Sequence, residues 1–372
     1  MLFYICEDVC DYLESCNEKE RIQSVAKLDI LLANRQYGRI AVAAKMSTLE
    51  RLLDSNFFSI AGRNTLRCLL ESFQSELLYV KHTKYYIRIN GFGDTHTEVK
   101  DETSIINAPI KSIDTEMLGK PVLLVENDID AEVYKLITLF YLDYILKRKG
   151  ATFDFETLGG GGASTGKVYH RLLSEGCKTV LCIVDSDKMH SDGKIGSTAK
   201  AAKATSNKYR GYPFTKLHIL YCKEAENLFP PDMLKVFYCE EINKMSFISY
   251  MERCPDEVRF FLDYKKGILM KPILKKFNRS VEESVRHLSE FYKLEYAHIE
   301  LDKCSKKEKC DCLSCTSRLI DGLGENVLNK FIAKYPELRD GFLNLGDNYS
   351  KAWACLGEQI FSWAITAPPI GN

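Results

Sequence analysis

Long runs of any one kind are missing from this 372-residue chain. No apolar stretch approaches the roughly 20 residues that a membrane-spanning helix needs, and neither a low-complexity tract nor a repeat of fixed period is present. Net charge is missing as well. Lys and Arg number 51 and Asp and Glu 51, so the chain as a whole does not advertise a polyanionic partner. Residues Met1 to Asp11 contain no basic segment and are broken by acids, so no secretory signal and no membrane partner are expected. Fourteen cysteines in such a context predict free or metal-bound thiols in a reducing cytoplasm. A G-x-S-x-G nucleophile elbow is absent, the seven histidines are scattered, and no motif singles out one of the 20 tyrosines. Acyl transfer and covalent tyrosine chemistry are therefore left without a carrier.

What is present is a set of acids standing where apolar runs stop. Pro121-Val-Leu-Leu-Val ends in Glu126, with Asp130 four residues on. Thr179-Val-Leu-Cys-Ile-Val ends in Asp185-Ser-Asp187, and His218-Ile-Leu-Tyr-Cys is followed by Glu224 and Glu226. An apolar run ending in a carboxylate reads as a buried parallel strand that delivers the acid to the sheet's C-terminal edge. Several carboxylates brought to one edge repel unless cations lie between them, so a pair of Mg2+ or Mn2+ ions is expected there. The neutral total also hides basic segments. Lys188, Lys194, Lys200, Lys203, Lys208, Arg210 and Lys216 face the single acid Asp192, and Lys265, Lys266, Lys271, Lys275, Lys276 and Arg279 form a second basic stretch.

Alternation of strand and helix over 118–232 predicts an α/β fold with a parallel sheet of about four strands, at Pro121–Glu126, Phe153–Leu158, Lys178–Asp187 and Lys216–Cys222. Residues 1–117 read as mainly helical, with helices over Ile22–Leu32, Ile40–Leu53 and Thr65–Val80, a short strand at 84–90 and a polar linker from Asp94 to Lys120 with room for one more short strand. Residues 233–372 read as a helical C-terminal domain, with apolar spacing over Val281–Tyr292, Leu319–Phe331 and Trp353–Ile365. It is interrupted by the cysteine-rich loop 304–315. There Cys304, Cys310, Cys312 and Cys315, with His298 as an alternative ligand, suit a structural Zn2+.

Leu-Leu-Val-Glu126-Asn-Asp-Ile-Asp130, the glycine turn Leu158-Gly-Gly-Gly-Gly162, Asp185-Ser-Asp187 and Glu224-Ala-Glu226-Asn-Leu-Phe together resemble a TOPRIM domain. This metal-binding module is shared by topoisomerases, bacterial primases, recombination mediators and the nucleases of the OLD family. The Glu-x-Glu-Asn element resembles the OLD nucleases in particular. Asn127 stands where the family has glycine; since Asn tolerates left-handed backbone angles, the turn is expected to survive. The resemblance implies a two-metal endonuclease, DNA being favoured over RNA as substrate but not decided by the sequence, with Glu126 and Asp185 as shared ligands and Asp130, Asp187, Glu224 and Glu226 completing the shells. Asp187 and Lys188 join Glu126 and Asp185 as catalytic candidates, and Lys194 and Lys223 are further candidates to neutralise developing charge. It also implies a cytoplasmic bacterial anti-phage effector, either a stand-alone nuclease or one controlled by a separate ATPase or sensor protein, with a homo-oligomer as a further expectation.

Two other readings use the same residues. Gly161-Gly-Ala-Ser-Thr-Gly166-Lys167 matches G-x-x-x-x-G-K and would make the chain a P-loop ATPase or nucleotide-binding regulator, but Val168 stands where a P-loop has Ser or Thr. A non-catalytic nucleic-acid-binding TOPRIM module would bind with steep salt dependence and cut nothing.

Overall fold

The computed structural model describes residues 1–147, 151–176, 178–269, 318–339 and 345–370. Its contacts group the chain into two units: Met1–Ile183 with Ala201–His218 and Trp353–Asn372, and Val184–Lys200 with Ile219–Ala352. No helix among the described residues is long and apolar enough to cross a membrane.

The first unit opens with a sheet. Strands β1 (Leu2–Ile5), β2 (Ala41–Ala44), β3 (Tyr85–Asn90), β4 (His96–Lys100) and β5 (Thr103–Pro109) lie in the order β2-β1-β3-β5-β4. All pairs are parallel except β4 with β5. Helices α1 (Asp8–Ser15), α2 (Glu18–Gln36), α3 (Met46–Asp54) and α4 (Ile60–His82) connect the first three strands. Helices are expected here, but a five-stranded sheet is not. The run Ile40–Leu53, expected to be one helix, begins as β2, because a short apolar segment buried on both faces carries no period-2 signal. The expected linker 94–120 is also structured. Ile105, Ile106, Ala108 and Ile110 are buried, and the segment supplies β4, β5 and two 3-10 turns.

A second sheet is built from β6 (Val122–Val125), β8 (Glu156–Gly159), β9 (Val180–Val184) and β10 (Thr215–Ile219), in the order β10-β9-β6-β8. β6 pairs in parallel with β8 and with β9, and all nine residues of β6 and β9 are buried, as uninterrupted apolar runs require. The α/β class and the parallel strands thus match expectation. Between them run α5 (Asp128–Phe140, continuing into a π-helical turn at Tyr141–Leu146), α6 (Thr165–Glu175) and α7 (Ser197–Lys208). The predicted second strand is split. Its first part, β7 (Thr152–Phe153), pairs antiparallel with β13 (Ile365–Thr366). Trp353 and Trp363 anchor this unit's C-terminal helical segment, Trp353 edge-on to Phe140 at 5.1 Å and Trp363 against Tyr85 at 4.0 Å.

In the second unit, α8 (Pro231–Phe237), α9 (Ile242–Arg253), α10 (Asp256–Arg259) and α11 (Val327–Arg339) surround a core in which Phe229, Phe237 and Phe331 are mutually in contact. Strands β11 (Gly267–Leu269) and β12 (Arg318–Asp321) pair antiparallel. The run Leu319–Phe331, expected to be one helix, therefore begins as a strand and turns helical at Val327. A last helix, α12 (Asp347–Ala364), belongs to this unit up to Ala352 and to the first unit from Trp353 onward. The Val281–Tyr292 run, His298 and the four cysteines Cys304, Cys310, Cys312 and Cys315 lie outside the described residues.

Candidate active site

The candidate residues fall into two sets, one in each unit. In the first unit Glu126 follows β6, and its carbonyl oxygen accepts the N–H groups of Gly161 and Gly162 at 3.0 and 3.2 Å, while Gly160 N–H donates to Val125 O at 2.7 Å. The glycine turn after β8 is thus fastened to the end of β6, and Gly161 and Gly162 take left-handed φ values of 71° and 58° that bulkier residues resist. Asn127 is extended rather than left-handed, with φ −132°, and caps α5. Its backbone N–H donates to Asp130 Oδ2 at 2.9 Å, so one oxygen of the buried Asp130 carboxylate serves a capping box.

The same glycine turn answers the P-loop reading. A phosphate cradle needs a run of free backbone N–H groups. Those of Gly160, Gly161 and Gly162 are spent on Val125 and Glu126, and Ser164 Oγ and Thr165 Oγ1 donate back to Gly160 O and Gly162 O. Lys167 points from an exposed position of α6.

The second unit holds the denser cluster. Asp185-Ser-Asp187 leaves β9 and is stitched to the chain leaving β10: the buried Ser186 hydroxyl donates to Cys222 O at 2.6 Å and Asp187 N–H to Lys223 O at 2.9 Å. Asp187 itself takes a left-handed φ of 52°. Close by, Gly196 leaves no room for a side chain, since a Cβ there would lie 2.1 Å from Asp187 Oδ2. Asn227 organises the Glu-x-Glu turn. Its Oδ1 accepts Glu224 N–H at 3.0 Å, and its amide donates to Arg259 O and Leu262 O at 3.1 and 2.9 Å.

Two ammonium groups then sit among the carboxylates. Lys265 Nζ lies 3.2 Å from both Glu224 Oε2 and Glu226 Oε1, and the buried Lys223 Nζ lies 3.4 Å from Glu224 Oε1 and 2.8 Å from Asp263 Oδ2. Burial pushes the Glu226 carboxyl up to about 7, with Lys265 opposing and Glu224 adding to the rise. Asp187 is also raised, by desolvation of its inner side and then by Glu224. Burial would raise Asp263 too, but the Lys223 ammonium holds it below the ordinary value. For Lys265, burial works against the charge while Glu226 and Glu224 outweigh it and keep the ammonium protonated.

Of the lysines expected to assist, only Lys223 is in this network. Lys188 donates to Ser191 O at 2.9 Å within its own loop, and Lys194 is exposed. The sequence marks Lys265 only as one of a basic stretch, and Asp263 not at all. They follow an aromatic run with no recognisable motif, and only the fold brings them to the Glu224–Glu226 turn.

Among the described residues, no group of three or more His, Cys, Asp or Glu is gathered closely enough to hold a metal ion. The donor set of the second unit nevertheless suits a hard divalent cation, being all carboxylate oxygen. Glu224 Oε2 is buried without a well-aligned hydrogen bond, and burial, with Glu224 adding to it, pushes the Asp187 and Glu226 carboxyls upward against the pull of the neighbouring lysines. Compared with models of known protein families, with curated proteins and with solved structures, the chain matches none.

Proposed function

We propose that this chain is a divalent-metal-dependent nuclease of the TOPRIM type that hydrolyses phosphodiester bonds in DNA. The observation that carries the reading is the joining of Asp185–Asp187 to the Glu224–Glu226 turn, with Lys265 and Lys223 standing between the acids. In this reading Asp185, Asp187, Glu224 and Glu226 hold the cations. Glu126 and Asp130 enter it through the resemblance alone. Bound Mg2+ or Mn2+ would supply a water of lowered pKa and neutralise charge on the scissile phosphate.

The chain's own residues then have definite tasks. Asn227 fixes the direction of Glu224 and Glu226. Lys223 keeps Glu224 and Asp263 apart in charge, and Lys265 supplies the positive charge that Glu224 and Glu226 share when no cation is bound. The basic stretch from Lys188 to Lys216 tracks the phosphate backbone. A role in bacterial defence against phage, with a separate ATPase or sensor as partner, follows the resemblance and no other observation.

Incubation of supercoiled plasmid with the wild type and with Glu226→Gln, Asp185→Asn and Glu126→Ala, across Mg2+, Mn2+ and EDTA, tests the reading. Nicking by wild type that EDTA abolishes and the three substitutions reduce by about 100-fold or more is expected. Nicking equal in all four proteins would sink it. One observation favours the idle binding module instead: the cations among these acids are lysines, and an ammonium-filled cluster needs no metal. That module would bind plasmid with steep salt dependence, leave it uncut under every condition, and be indifferent to Asp185→Asn.

A further inference from the structure

The five-stranded sheet of the first unit has one face that changes character along its length. Register places Leu2, Ala41, Tyr86 and Ile105 on this face toward the N-terminal ends of four parallel strands, where they join a buried apolar cluster with Tyr141 and Phe361. Toward the C-terminal ends the same face, strand by strand, carries Lys45 just past β2, Cys6 just past β1, Arg88 and Asn90 on β3, and Asn107 on β5. The other face stays apolar to the end, with Ile5, Ala44, Ile89 and Ala108 all buried. A stability requirement alone would continue the apolar pattern on both faces, because parallel sheets are normally covered on both sides.

The place where the face turns polar is the switch point of the sheet. From β1 the chain leaves toward β2 on one side, and from β3 it leaves toward β4 and β5 on the other. Loops that diverge in this way open a crevice at the carboxyl ends of the strands, which is where open α/β folds take their ligands. A cavity of about 700 Å3 lies there, between these strand ends and Leu77, Val80 and Lys81 of α4. That volume falls within the range of roughly 300–1,000 Å3 typical of small-molecule sites.

Its lining is differentiated. Leu77 and Val80 with Tyr4 and Tyr86, the rings edge to face at 6.4 Å, offer an apolar and aromatic wall. Lys45, Lys81 and Arg88 bring positive charge. Arg88 is held in place by Asn107 Oδ1 and Glu98 Oε2, each at 3.3 Å, and by Tyr86 OH at 3.2 Å, while Lys45 is only loosely matched by Glu7 at 4.0 Å. Asp8, at the start of α1, also lines the crevice and brings it a carboxylate that can accept a hydrogen bond. Burial pushes the Cys6 thiol up to about 11, away from the thiolate form that a nucleophile uses. What the crevice offers is an aromatic wall, positive charge and a carboxylate, the groups of a binding site.

We propose that this crevice binds a nucleoside phosphate, its base against Tyr4 and Tyr86, its phosphate toward Lys45 and Lys81, and a sugar hydroxyl donating to Asp8. The site uses none of the carboxylates of the nuclease reading and nothing of the Gly161–Lys167 turn, and does not depend on either.

Isothermal titration of the full chain with ATP, AMP, adenosine and inorganic phosphate tests it. Binding of ATP or AMP is expected, with adenosine and phosphate alone at least about tenfold weaker, because each engages only part of the lining. The double substitution Lys45→Glu and Lys81→Glu, at two exposed positions, should weaken nucleotide binding by on the order of tenfold or more with an unchanged melting temperature, and Lys167→Ala should leave binding as it was. Failure of the wild type to bind either nucleotide at millimolar concentration would overturn the proposal. So would binding that survives the double substitution undiminished, or binding that Lys167→Ala abolishes.

Discussion

Asp187 is held in a left-handed conformation, and Gly196 is packed against its carboxylate with no room for a methyl group. Gly196→Ala is therefore expected to destabilise the protein by about 1–3 kcal/mol, seen as a lower urea midpoint at unchanged slope, because either Asp187 or the loop must shift. Lys265 makes a second residue-scale prediction. Lys265→Met leaves Glu224 and Glu226 facing each other without their shared ammonium and should cost about 1–3 kcal/mol at pH 7. Adding Glu226→Gln should recover part of that loss, so the double variant is less destabilised than the sum of the single ones; strict additivity in the cycle would contradict the pairing. At this scale the sequence is readable for the acids and not for their partners. Asp185-Ser-Asp187 and Glu224-Ala-Glu226 each follow an apolar run and announce themselves. Asp263 and Lys265 reach the cluster through a tertiary approach that leaves no periodicity behind.

The turn after β10 shows what one amide can do for an element. Asn227 satisfies Glu224 N–H and two carbonyls of the 259–262 segment while itself buried. Asn227→Ala is expected to lower stability by about 2–4 kcal/mol in chemical denaturation, since it strands these groups without partners. Within β10 itself, burial pushes the His218 imidazole down to about 4, and Lys216 beside it pushes the same way. The native state therefore refuses a proton that the unfolded chain takes up below about 6.5. Stability contributed by His218 is intact above that value and is lost as pH falls toward 4. His218→Phe should flatten this part of the pH–stability profile, and a profile unchanged by the substitution would contradict the burial of a neutral imidazole. Element by element, β6 and β9 are legible because a continuous apolar run bounded by an acid fits little besides a buried parallel strand. β1 and β2, four residues each and buried almost throughout, are not, since such runs fit a helix equally well.

For the whole molecule, a formal charge of zero conceals an unequal distribution of its parts: acids at the ends of β6, β9 and β10, and bases in the stretch that follows β9. The class of the fold can be read from the alternation of apolar runs. The five-stranded sheet cannot be read as a whole: β3 shows in the alternation at 84–90, but β1 and β2 are short and set among helices whose periodicity dominates the first 80 residues. Glu224 and Glu226, which follow β10, and Asp263 converge on Lys223 and Lys265, and the Asp185–Asp187 segment after β9 is hydrogen-bonded to the chain that leads into them.

Titration of Mn2+ into the wild type and into Asp185→Asn and Glu226→Gln, followed by calorimetry or by the electron paramagnetic resonance signal of free Mn2+, tests the proposed metal site most directly. Saturable binding by the wild type, weakened by about tenfold or more in both variants, is the expected result. No binding by the wild type, or binding that both substitutions leave untouched, would contradict it.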